Sequence, residues 1–223
     1  MYVRRVRDET LDFGHRGWLL DESFIFYDRK YDSLWVQATG RCISGKFNGE
    51  QLTTLPVTHT TWGEWRALHP DTLVLAKPRL LVERYRRDGY ELAYKRWGTK
   101  FGLGVFVAGG HKLYPLDELR KSPVVHDMID GQPVLVVYHQ PSQTAVAFDP
   151  VLAGRPQDFE VLEVTQSDVL MRERVSEVVW SGLNGRAQTG ESSPHQLRQL
   201  RTTQFAIDKW RKHFPIGEIY GSP

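Results

Sequence analysis

Residues 33–45 read SLWVQATGRCISG and residues 178–190 read VVWSGLNGRAQTG. Trp, the Gly-Arg pair and the closing Gly recur at the same spacing. A shift of 145 residues lays 33–75 on 178–220 without a gap. Eleven of those 43 positions are identical, against roughly three expected for typical composition. They are Trp35/Trp180, Gly40/Gly185, Arg41/Arg186, Gly45/Gly190, Gln51/Gln196, Leu52/Leu197, Leu55/Leu200, Thr58/Thr203, Trp65/Trp210, Arg66/Arg211 and Pro70/Pro215. Glycines at turns, tryptophans in cores and prolines at terminations are the residues whose structural demands are hardest to substitute. The chain is an internal duplication.

The repeated unit alternates short apolar runs with Gly, Asn and Asp turns, the pattern of antiparallel strands. Phe24–Tyr27 and Leu34–Val36 flank a turn at 28–32, and LTTLPVTHT (52–60) reads as an extended stretch. Thr61-Trp62-Gly63-Glu64 matches a capping box, in which the Thr and Glu side chains satisfy the free amides at a helix start. Pro70 ends that helix, and TLVL (72–75) reads as a strand whose counterpart is GEIY (217–220). Residues 103–149 read as strand, short helix begun by Pro115, strand, an Asp130-Gly131 turn and a hairpin. The expected architecture is α+β, mainly antiparallel β, in two duplicated β-rich modules with short helices. Its expected boundaries are 1–75 for a first repeat lacking its opening third, 76–102 for a linker and 103–223 for a complete second repeat.

Composition narrows the function classes. The 223 residues are 40% apolar and 25% charged, with seven tryptophans, a formal net charge of +2 and one cysteine, Cys42. An intramolecular disulfide and a cysteine-based zinc site are thereby excluded. No apolar run reaches the roughly 18–20 residues needed to span a bilayer, and the first residues carry charge without the apolar core of a secretory signal. The stretch 76–102 holds eight Lys/Arg against three Asp/Glu, interleaved with Tyr85, Tyr90, Tyr94 and Trp97. Charge plus aromatic stacking suits single-stranded nucleic acid. The position between the repeats favours a connector with solvated charges, so nucleic acid is not the expected partner.

Several residues resemble a known family. FGHRGWLLDESFIFYDRKYDSLWVQATGRCISG (13–45) and LPVTHTTWGEWRALHPDTLVL (55–75) are similar to the bacterial domain-of-unknown-function family 3179. Its pattern matches Phe13-Gly14, Tyr27-Asp28-Arg29, Ser33-Leu34-Trp35, Gln37, Gly40, Thr60, Trp62, Trp65 and His69-Pro70-Asp71-Thr72. In the second copy it matches Tyr114-Pro115-Leu116, Val124-Val125, Asp127, Gly131 and Pro133-Val134. Where the family carries Tyr-Cys-Pro-Leu-Cys-Gly-Thr-Ala, this chain reads Tyr138-His139-Gln140-Pro141-Ser142-Gln143-Thr144-Ala145, with both cysteines replaced, and Arg16 stands where the family has Ser. The resemblance implies an extracytoplasmic (periplasmic or secreted) location and brings no reaction with it.

Candidate site residues gather in the first copy. Trp62, Trp65 and His69 fall at i, i+3 and i+7, on one helical face. With His59, Tyr27 and Arg29 they form the candidate ligand-binding set. Their counterparts Ile207, Trp210 and Phe214 favour burial of that face in the core. Among eight histidines none forms an H-x-H, H-x-x-x-H or H-E-x-x-H pair. His59, His126 and His139 are the candidates for convergence on copper or zinc, the metals suited to imidazole, although no cofactor is the favoured expectation. There is no G-x-S-x-G nucleophile elbow, no catalytic residue is assigned, and Cys42, matched by Ala187, reads as a buried small residue. The sequence favours a non-catalytic binding or scaffold protein recognising a protein or small molecule through aromatic surfaces, with a metal- or redox-linked protein as the alternative.

Overall fold

The computed structural model describes residues 1–76, 100–189 and 195–222. Most of the expected linker lies outside the described residues, and its last part already belongs to a strand beginning at Phe101. The chain divides into two compact units, one of Met1–Val57 with Lys209–Gly217, the other of Thr58–Asp208 with Glu218–Pro223.

In the first unit, strands β1 (Arg5–Val6) and β2 (Glu9–Thr10) make a small hairpin. An antiparallel meander follows, of β3 (Phe13–Leu20), β4 (Ser23–Asp28), β5 (Leu34–Val36) and β6 (Cys42–Ser44). The fully buried Trp35 anchors its core with Val6, Leu11, Cys42, Phe47 and Leu52. Asp28 explains why the turn between β4 and β5 holds: its buried carboxylate accepts the amides of Tyr31 (2.7 Å) and Ser33 (3.1 Å) and the Trp35 indole N–H (3.4 Å). A buried charge is tolerated only when donors surround it in this way.

The second unit begins with α1 (Trp62–Leu68), followed by β7 (Phe101–Phe106), β8 (His111–Pro115) and α2 (Leu116–Lys121). Next come β9 (Val124–Ile129), β10 (Gln132–His139) and β11 (Thr144–Asp149). The run β12 (Val151–Leu152), β13 (Arg155–Pro156), β14 (Phe159–Val164), β15 (Val169–Glu173) and β16 (Val179–Ser181) repeats the first unit's hairpin and meander. Strands β17 (Arg198–Gln199) and β18 (Arg201–Ala206) lead into α3 (Ile207–His213), whose residues from Lys209 onward belong to the first unit, and β19 (Glu218–Ile219) pairs in parallel with β8. All other strand pairs among the described residues are antiparallel.

The central sheet, in order β17-β11-β10-β9, is covered on both faces. Val134, Val136 and Tyr138 enter one core with β7, β8 and α2, while Leu135 and Val137 enter another with Phe159, Met171 and Trp180. Because alternate residues of a strand face opposite ways, a strand buried on both sides must be apolar throughout. That is why PVLVVY at 133–138 shows no alternation.

The duplication is visible bond by bond. Phe26 opposes Trp35 as Met171 opposes Trp180, and Arg41 bridges Gln51 as Arg186 bridges Gln196. Gly40 and Gly185 adopt φ of 72° and 68°, the left-handed turn that keeps both as glycine. In the second unit Glu173 takes the place of Asp28 and accepts the amides of Val175 (3.1 Å) and Ser176 (2.6 Å).

Two local expectations differ. Residues 72–75 form no strand, and Leu73 and Leu75 stand in solvent. The stretch 52–60 is held by isolated bridges, Tyr2 to Thr54 and His59 to Ala145, since Pro56 has no amide hydrogen to donate to a ladder.

Candidate functional site

Helix α1 is the element on which the candidate residues meet. Thr61 caps it, its hydroxyl accepting the Glu64 amide at 3.3 Å. The other half of the expected capping box does not form, because the Glu64 side chain turns inward and is only 6% exposed. Leu68, one turn on, packs against the second unit's core beside Val137 and Trp180. Glu64 and Leu68 thus define the buried face. Trp62, Trp65 and His69 are turned toward solvent, on the helix's exposed side.

The expectation of a buried tryptophan face is therefore corrected. Trp62 is 52% exposed and Trp65 37%, whereas Trp210, the counterpart of Trp65, is fully buried. The helix is rolled so that a carboxylate, with a polar pocket to receive it, occupies the inner face. Trp65 is held in one orientation by two contacts. Its indole N–H donates to Thr72 Oγ1 at 2.9 Å, and the His69 ring packs against it at a 37° tilt with centroids 4.1 Å apart. The result is a fixed aromatic platform open to solvent.

The pocket under α1 is a chain of polar side chains. His139 is completely buried, with Nε2 3.1 Å from the Thr165 carbonyl and Nδ1 2.7 Å from Ser142 Oγ. A carbonyl can only accept, so in the neutral imidazole Nε2 carries the proton and Nδ1 receives the Ser142 hydroxyl. Ser142 in turn lies 2.7 Å from Thr144 Oγ1, and Thr144 2.6 Å from Thr60 Oγ1. With the Ser142 proton committed, each hydroxyl donates toward His139. Glu64 Oε2 lies 4.0 Å from the same Nδ1, and its Oε1 is buried with no hydrogen-bond partner. Burial pushes the Glu64 carboxyl above its ordinary range; the nearby Asp168 charge adds to the effect and His139 opposes it. Asp168 is held by the amides of Val169 (2.8 Å) and Leu183 (3.0 Å).

The remaining candidates lie in separate surroundings. His59 bridges Ala145 through its backbone and pairs with the Gln204 side chain, the residue at its own position in the other repeat. His126 has Nε2 3.0 Å from both the amide nitrogen and the carbonyl oxygen of Phe159, with Asp158 at 3.4 Å. Tyr27 and Arg29 belong to the first unit, where the Arg16 guanidinium covers the Tyr27 ring at 4.5 Å and Arg29 lies 5.8 Å from it. Among the described residues no three His, Cys, Asp or Glu side chains gather as a metal-binding set. Burial raises the Cys42 thiol above its ordinary value, away from thiolate reactivity. On the outer side of the β10–β11 turn, a cleft of about 410 Å³ is lined by Arg120, Pro123, Tyr138, Gln140, Pro141 and Val164.

Sequence reasoning missed Glu64, Ser142, Thr144 and Asp168 as members of one cluster. The available signal was His139-x-x-Ser142, standing at the two cysteine positions of the resemblance and now seen as a hydrogen-bonded pair. Glu64 was concealed by its fit to a capping motif.

The fold and site define a duplicated β-rich module with an aromatic platform on one helix. The chain belongs to the family described as protein of unknown function (DUF3179), whose model matches residues 1–103 and again 100–222. No curated protein and no solved structure shows significant similarity to it. No helix among the described residues is long and apolar enough to cross a membrane.

Proposed function

We propose that this chain is a non-catalytic binding protein that takes its ligand on the outer face of α1, stacking it on Trp62 and Trp65. One observation carries the reading: the helix exposes two indoles, at 52% and 37%, whereas the tryptophan at the position of Trp65 in the other repeat is fully buried. Folding does not require the exposure. Large aromatics that are rigid and half-exposed supply contact area at small entropic cost, which is how binding surfaces use them. The site lies outside the cytoplasm, a placement that rests on the family resemblance alone.

The test is a screen of immobilised glycans and peptides against the parent and the Trp62→Ala/Trp65→Ala variant, with the melting temperature as a folding control. A ligand retained by the parent and lost by a variant of unchanged stability supports the reading. Ligands bound equally by both proteins overturn it.

A further inference from the structure

We propose that Glu64 and His139 form a proton-operated latch that keeps α1 docked while one proton is held between them and releases it when both have lost theirs. The inference rests on the reading above in one respect, since what the latch would regulate is the tryptophan platform on the same helix.

The geometry supplies three conditions. First, the two groups are sealed together: His139 is fully buried, Glu64 nearly so, and the carboxylate Oε2 lies 4.0 Å from Nδ1. With one proton between them they are neutral as a pair, whether as carboxylic acid beside imidazole or as carboxylate beside imidazolium. The second arrangement only requires the Ser142, Thr144 and Thr60 hydroxyls to reverse their direction of donation. Second, the titratable groups facing the pair do not replace the missing proton. The charged group brought up by β15 is Asp168, a second anion held by the Val169 and Leu183 amides. The contacts from β11, the β10–β11 turn and the 58–60 segment are hydroxyls, and that from the β14–β15 turn is the Thr165 carbonyl. Third, Glu64 Oε1 has no donor. Removing the proton leaves a buried carboxylate facing a bare imidazole nitrogen beside another carboxylate, an arrangement that desolvation penalises heavily. The short helix relieves it by turning Glu64 out to water, against the packing of Leu68 on the core.

The sign follows. The docked helix holds the proton more tightly than the released one. A released pair keeps its one proton on the imidazole up to about pH 6.5, so docking is weakened as pH rises above that value.

Acrylamide quenching of tryptophan fluorescence tests this without any ligand. The α1 contribution is the difference between the parent and Trp62→Phe/Trp65→Phe, followed from about pH 4 to about pH 9. The latch predicts that this contribution rises about twofold across the range as the helix is freed. Glu64→Gln and Glu64→Leu, which carry no charge, hold it at the acid value throughout. A flat profile in the parent, or a parent-like rise in either variant, overturns the latch. Because acrylamide is not the ligand, a failed ligand screen leaves this result standing, and a flat profile leaves the binding reading standing.

Discussion

Trp65 and Trp210 occupy the same position in the two repeats, and one is 37% exposed while the other is completely buried. The difference arises one residue earlier in each helix. Glu64 turns inward beneath α1, whereas its counterpart Lys209 reaches Glu22 at 2.7 Å, so the two helices present different faces. Duplication has preserved the tryptophan and changed its use.

The first prediction separates those uses. Trp210→Ala removes a buried indole and is expected to cost about 3–5 kcal/mol, whereas Trp65→Ala, which loses one hydrogen bond and a ring contact at the surface, costs about 1 kcal/mol or less. Urea denaturation of the two variants measures both.

The second concerns Asp28. Its carboxylate serves two amides and an indole N–H, and Asp28→Ala strands all three donors in a buried site. The expected cost is about 3 kcal/mol or more. Asp28→Asn, which retains one acceptor oxygen, falls between that variant and the parent.

Glu173 contributes to the acid dependence. Burial works against its charge, yet the Ser176 hydroxyl and the amides of Ser176 and Val175 hold its carboxyl below the ordinary range. A lowered folded value contributes stability that is complete above the unfolded value, about 4.3, and is lost as pH falls through the folded one. Thermal melts between about pH 2 and pH 6 should show a shallower acid decline for Glu173→Gln than for the parent. Parallel declines would count against this role.

Gly45 and Gly49 offer a controlled comparison. Both adopt φ of 89°, but a Cβ on Gly45 would lie 2.6 Å from Ser33 Cα, whereas one on Gly49 meets nothing within 4 Å. Gly49→Ala therefore reports backbone strain alone, about 1 kcal/mol, and Gly45→Ala adds a backbone collision of about 1–3 kcal/mol. Equal losses would mean that the Ser33 strand yields freely.

Much of the fold was legible because the residues that declare it act locally. The glycine turns at 40 and 185, the Thr61 cap, Pro115 at the start of α2 and the Asp130-Gly131 turn each dictate backbone shape within a few positions. The apolar run at 133–138 was legible as a strand following the Asp130-Gly131 turn. The roll of α1 was not legible in the same way. Periodicity placed Trp62, Trp65 and His69 on one face correctly, but which face turns inward depends on His139, far along the chain and brought beneath the helix only by tertiary pairing. The exposed residues 72–75 illustrate the same limit: four apolar-rich letters suggest a strand, and only a partner makes one.

The β10–β11 hairpin contributes side chains to two separate cores, one through each face. Neither core can loosen without withdrawing support from the strands that also wall the other, so the two melt together rather than in turn. The amide hydrogens of Leu135, Val136 and Val137 should accordingly be the last in the unit to exchange with deuterated solvent, at a rate set by whole-unit opening. A methyl group removed from this hairpin would be felt on both of its sides. The meander beside it accepts a conservative exchange, as the replacement of Asp28 by Glu173 between the copies illustrates.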